Sequence, residues 1–110
     1  VTVSGGQKQR ISIARALMKE AAILILDDSV SAVDTDTERV ILDNLRQTRK
    51  GKTTLLVAHR VTTVQNLDKI VYLDGGKVLD VGTHEQLGAR CAEYRNMVEL
   101  QKLDEEEDNA

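Results

Sequence analysis

Apolar residues fall along the chain in two alternating patterns. Through residues 4–20, Ile11, Ala14, Leu17 and Met18 recur at the three-to-four-residue spacing of a helix face, which predicts a helix over that span. The run 22–26 that follows has no polar alternation at all, the pattern of a strand buried on both faces. Helical period returns over 37–48 through Val40, Ile41 and Leu45, and "TTLLVAH" at 53–59 predicts a second buried strand. A third strand is expected over 68–73. Because Asp74-Gly75-Gly76-Lys77 is a tight turn, residues 78–81 should pair back on it antiparallel. From Thr83 a final helix is expected to run to about Leu103, followed by an acidic tail that should be solvated and disordered. This order of elements predicts an α/β fold, with a mostly parallel sheet, flanking helices and a C-terminal helix. Residues 1–101 form the expected domain and residues 102–110 the tail.

Composition sharpens this picture in a few places. The 110 residues suit one modest domain. Aromatics make up 2%, with no Phe or Trp, so the core must come from Leu, Ile, Val and Ala, which fits helices layered on a sheet. The net charge of −3 is dominated by the run Asp104 to Asp108, which holds five of the 18 acidic residues. The remainder is close to neutral and carries no basic patch, so nucleic acid is not an expected partner. Cys91 is the single cysteine; it excludes an internal disulfide and is expected to be a small buried side chain. No apolar run approaches the roughly 20 residues that cross a bilayer, so membrane association would come through a partner or a further part of the chain. The first residue is Val1 rather than Met, as expected of a piece of something longer.

Candidate chemistry gathers at two places. Asp27 and Asp28 stand at the carboxyl end of the first strand and His59 at the equivalent end of the next, where ligands collect in open parallel sheets. Each alone reads as a turn residue or a satisfied core group; three at equivalent strand ends point to chemistry. The second place is "VSGGQKQR". Ser4 and Gln7 have capping-box spacing at the start of a helix. Capping does not explain Gly5 and Gly6, which in a first turn cost about 1 kcal/mol each against alanine. Bare glycines there let an anion such as phosphate approach the helix amides. Gly51-Lys52-Thr53 imitates the end of a phosphate-binding P-loop, but Arg46 stands where that motif needs its first glycine. These residues also enter a strand rather than a helix, and Gly51 is better read as a helix C-cap.

Taken in order, "VSGGQKQRISIARAL", "ILILDD", "SAVD", "VAHR" and "GTHEQL" resemble the ATP-binding domains of ABC transporters, in particular exporters, over nearly the whole chain to about Gln101. The resemblance implies part of a P-loop NTPase-like fold with ATP and Mg²⁺ as ligands. It implies that Ser4, Gly5, Gly6 and Gln7 are a signature motif contacting the γ-phosphate of ATP held by an opposite subunit, with Val3 where leucine is usual. Residues 23–27 then look like a Walker B strand whose Asp27 holds Mg²⁺ through water. Residues 31–34, ending in Asp34, look like the D-loop between the two sites, and His59 like the switch histidine. Asp28 departs from the family, which usually has glutamate there to polarise the attacking water. The replacement resembles the slow site of heterodimeric exporters, a likeness that the tail "GTHEQLGARCAEYRNMVELQ" shares.

The family's P-loop, adenine-stacking aromatic and glutamine loop precede its signature motif, where this sequence starts. The expected function is therefore the C-terminal half of an exporter's ATPase domain, inactive alone. Its expected partners are a second ATPase subunit and transmembrane domains, at the cytoplasmic face of the cell membrane. The competing expectation is a non-catalytic assembly or dimerisation module acting on a partner's ATP site. A chromosome-maintenance ATPase shares three of the motifs but is disfavoured, since no coiled-coil heptad is present.

Overall fold

The computed structural model describes residues 3–108, which divide after His59 into two compact units. The first holds α1 (Gly5–Leu17), β1 (Ile23–Asp27), α2 (Thr35–Thr48) and β2 (Thr53–Val57). The second holds α3 (Val61–Val64), β3 (Ile70–Asp74), β4 (Lys77–Gly82), α4 (His84–Arg90) and α5 (Ala92–Asp108).

In the first unit β1 and β2 pair in parallel, from Ile23 opposite Thr53 to Asp27 opposite Val57. Its core joins Ile13 of α1, Leu24 and Leu26 of β1, Val30 and Val33 of the loop after β1, and Leu45 of α2. The inward face of α1 differs from the expected one. Ile13 is buried, with Ala16 and Leu17 packed beside it, whereas Ile11 is 53% and Met18 82% exposed. The helix is turned so that Gly6, Gln9 and Ile13 share the inner side, a face that includes a glycine and an amide and so gives no apolar signal.

Burial of β1 is also one-sided among the described residues. Leu24 and Leu26 lie under the helices, while Ile23 and Ile25 are each 62% exposed on the other face, as are Leu55 and Val57 of β2 in part. Helix α2 begins two residues earlier than the period indicated because Asp34 caps it. At its other end the cap residue is Arg49 rather than Gly51, which sits further on with φ +79° in the turn closed by Lys52 N–H donating to the Arg49 carbonyl. The Arg49 guanidinium is buried and donates to the carbonyls of Ala21, Ala22 and Thr53 and to Thr54 Oγ1, tying the leading ends of both strands to the end of α2.

In the second unit β3 and β4 form the expected antiparallel hairpin. Gly75 (φ +58°) and Gly76 (φ +76°) are both left-handed, as the tight two-residue turn that matches strand twist requires. Val61, Ile70, Leu87, Cys91, Tyr94 and Val98 make its core. Tyr72 meets Tyr94 edge to face at 5.6 Å, and Tyr94 Oη lies 2.7 Å from His84 Nδ1. Burial pushes the Tyr94 phenol pKa up.

Three features of this half depart from expectation. The short α3 was not signalled by periodicity, and the single final helix is two. The backbone is extended at Cys91 (φ −107°, ψ 103°), whose thiol turns into the core, and Arg95 donates to the carbonyls of Gly88 and Ala89, satisfying the orphaned end of α4. Helix α5 then continues through the acidic run to Asp108, so residues 104–108 are helical where disorder was expected.

Candidate functional site

Strand pairing brings Asp27, Asp28 and His59 to one end of the parallel pair. Asp27 closes β1 opposite Val57, and His59 lies two residues past that partner; all three are exposed. Asp28 leaves the strand in the left-handed region at φ +54°, with its N–H donating to the Val57 carbonyl at 2.9 Å. Short polar residues tolerate that conformation best after glycine. Among the described residues no three His, Cys, Asp or Glu side chains cluster closely enough to hold a metal by themselves. A single carboxylate at a strand end is compatible with Mg²⁺, an ion that retains water and takes one or two carboxylates with substrate phosphates.

The start of α1 is built as a full capping box. Ser4 Oγ accepts from Gln7 N–H at 3.1 Å and Gln7 Oε1 accepts from Ser4 N–H at 3.0 Å. The carboxamide oxygen of Gln7 is thus engaged with the cap, and the N–H groups of Gly5 and Gly6 belong to the first turn, where no intrahelical carbonyl reaches them. They border an open depression with Ser4, Arg10, Ala32, Val33, Asp34 and Thr37. Four sequence candidates, Ser4, Gly5, Gly6 and Asp34, therefore meet at one place.

Asp34 Oδ1 accepts from Thr37 N–H at 3.2 Å. Hydrogen bonding from Thr37, helped by the nearby Arg10 charge, holds its carboxyl below the usual range, so it is ionised at neutral pH. Gly6 has a second reason to lack a side chain: a Cβ there would stand 3.1 Å from the Ala32 carbonyl oxygen and 3.3 Å from Val33 Cγ1.

One residue of the site was not singled out from sequence. Gln9 Nε2 donates to the Asp28 carbonyl at 3.1 Å and to Ser31 Oγ at 2.9 Å, while Gln9 Oε1 accepts from Ala32 N–H at 2.8 Å. Ser31 Oγ in turn donates to the Asp28 carbonyl at 3.1 Å. The only trace in the sequence is spacing, three residues after Gly6 and four before Ile13.

The described chain has no helix long and apolar enough to cross a membrane. Residues 1–31 match the family model described as ABC transporter. Over 103 residues, 94% of the chain, the sequence is 54% identical to a probable multidrug resistance ABC transporter ATP-binding/permease protein of Bacillus subtilis, and covers 18% of it. It is 50% identical over 90% of its length to an ATP-dependent lipid A-core flippase of Syntrophus aciditrophicus, covering 16% of that protein. Among solved structures, a bacterial Atm1-family ABC exporter with ATP bound superposes with a TM-score of 0.85 at 41% identity, over 90% of this chain and 18% of that one. The chain thus spans less than a fifth of the length of these relatives.

Proposed function

As this chain belongs with the ATP-binding domains of ABC exporters and covers part of one, we propose that it supplies two separate half-sites for ATP. One is the depression at the start of α1. The observation that carries the reading is the pair of first-turn amides at Gly5 and Gly6, with no side chain in front of them and the positive end of the helix dipole behind them. These amides receive the terminal phosphate of a nucleotide held by the partner subunit, and Asp34 lies at the rim between the two subunits.

The other half-site is the strand end, which serves nucleotide bound to the chain's own domain. Mg²⁺, when bound there, neutralises developing phosphate charge. Asp27 holds the water shell of that ion, Asp28 accepts a hydrogen bond from the attacking water, and His59 contacts the terminal phosphate. With one methylene fewer than glutamate, Asp28 sits about 1 Å further from the water, a misplacement that can cost about 100-fold in rate. The chain is on this reading the slow-site half of a heterodimeric exporter at the cytoplasmic face of the cell membrane, acting through transmembrane domains.

The test compares two substitutions in the full-length protein assembled with its partner. Gly5→Glu places bulk and negative charge where phosphate would bind; Gly5 is preferred to Gly6 because a Cβ at Gly5 makes only an ordinary 3.4 Å contact with Ala32 Cβ. Gly5→Glu should lower total ATP hydrolysis far more than Asp28→Ala, with assembly and ATP binding matched. If Asp28→Ala proves the more damaging, position 28 serves a fast site and the slow-site assignment is wrong. If neither matters, the assembly-module reading stands instead.

A further inference from the structure

We propose that Gln9 is a positioning residue that sets the geometry of Asp28 from the signature helix, so that the two half-sites of this chain are mechanically joined through one carboxamide. The inference rests on the reading of Asp28 as the residue beside the attacking water.

Asp28 is held in a conformation that an L-residue other than glycine adopts at a cost, and both ends of its backbone are tied to keep it there. Its N–H is committed to the Val57 carbonyl of β2 at 2.9 Å. Its carbonyl receives Gln9 Nε2 from α1 and Ser31 Oγ from its own loop, each at 3.1 Å. The same Gln9 carboxamide also takes Ala32 N–H at 2.8 Å and donates to Ser31 Oγ at 2.9 Å. A single side chain on α1 therefore fixes the carbonyl of the acid and the turn that leads on to Asp34.

The close approach of Gly6 to the Ala32 carbonyl seats the first turn of α1 against that same turn. A displacement of α1 by phosphate at Gly5 and Gly6 would be carried to Asp28 through Gln9. Without Gln9 the Asp28 carbonyl keeps only Ser31, and Ala32 N–H loses its acceptor, so the left-handed residue can relax and its carboxylate swing from its place.

Two variants of the full-length protein test this. Gln9→Leu removes all three bonds at nearly the same volume. Gln9→Glu keeps the acceptor for Ala32 N–H but replaces the donor to Asp28 and Ser31 with a carboxylate oxygen, which regains a donor only when protonated. In Gln9→Leu, hydrogen exchange across residues 29–34 should accelerate about tenfold, the scale of a lost hydrogen bond of roughly 1–1.5 kcal/mol, while exchange in β1 and β2 stays unchanged. Single-turnover hydrolysis at this chain's own site should fall at least tenfold at saturating ATP. In Gln9→Glu, which keeps the shape of the side chain, the same loss should appear, because the ionised carboxylate cannot donate to the Asp28 carbonyl. A side chain that acted by packing alone would tolerate this isosteric change. Unchanged exchange at 29–34, or a Gln9→Glu variant that hydrolyses ATP as fast as wild type, would overturn the role of Gln9. Wild-type hydrolysis insensitive to both Asp27→Ala and Asp28→Ala would instead overturn the reading on which it rests.

Discussion

At the scale of single residues, position 28 sets two effects against each other. On the function proposed above, Asp28→Glu should restore reach towards the water, worth up to about 100-fold in rate, but it places a longer side chain in a left-handed conformation that aspartate tolerates better. The first acts on the transition state and the second on folding. Single-turnover hydrolysis at this site should therefore rise, while urea denaturation shows a stability loss of up to about 1 kcal/mol. Asp80 offers a pH test. The Arg90 guanidinium, with Nε 2.9 Å from Oδ2, holds its carboxyl below the ordinary range. A depressed folded-state pKa contributes stability above the unfolded value near 3.9, and that contribution disappears as the pH falls through the lower folded value. Asp80→Asn should thus flatten the pH dependence of stability below about pH 4 in thermal melts, leaving the profile above pH 6 parallel to wild type. Asp27, Asp28 and His59 were legible because a carboxylate or imidazole at a strand end stands out against an apolar run. Gln9 was not, because an amide on a helix looks like a solvent-facing residue until the loop it holds is in place.

At the scale of elements, every strand and the helices α1 and α2 could be anticipated from the apolar pattern, and the hairpin from Asp-Gly-Gly. What periodicity could not show was helix rotation. The apolar positions of α1 are numerous enough to draw more than one face, and the one buried is selected by Gly6 and Gln9 lying against the 28–33 turn. Ile13→Ala should cost about 2–5 kcal/mol, as the buried side chain leaves a cavity. Ile11→Ala should stay within about 0.5 kcal/mol, a contrast readable from paired urea midpoints. The break at Cys91 was hidden for a related reason: its neighbours are helix formers, and the interruption depends on a core position for the thiol and on Arg95 satisfying the carbonyls left behind.

At the scale of the whole molecule, the α/β reading holds, while the prediction of strands buried on both faces fails for β1 and β2 as described. Ile23, Ile25, Leu55 and Val57 leave one side of that pair apolar and exposed, and Val71, Leu73 and Val78 do the same on the hairpin. Exposed apolar surface on this scale favours association. The 110-residue chain on its own should bind a hydrophobic dye strongly and sediment with a mass that rises with concentration. A monomer without dye binding up to high micromolar concentration would contradict this. The same chain has no complete P-loop motif, since Arg46 stands where Gly51-Lys52-Thr53 would need its first glycine, so it should release no phosphate from ATP above a blank. Release that is lost on Asp27→Ala would refute the expectation of inactivity.

The left-handed backbone at Asp28 also has a consequence for descent. Single-nucleotide changes to an aspartate codon reach asparagine, glycine, glutamate, alanine, valine, histidine and tyrosine. Of these, glycine and asparagine suit φ +54° best, and both discard the negative charge. Drift at this position is therefore sloped by the main chain towards neutrality, and a lineage that keeps any acid there must be holding it against that slope.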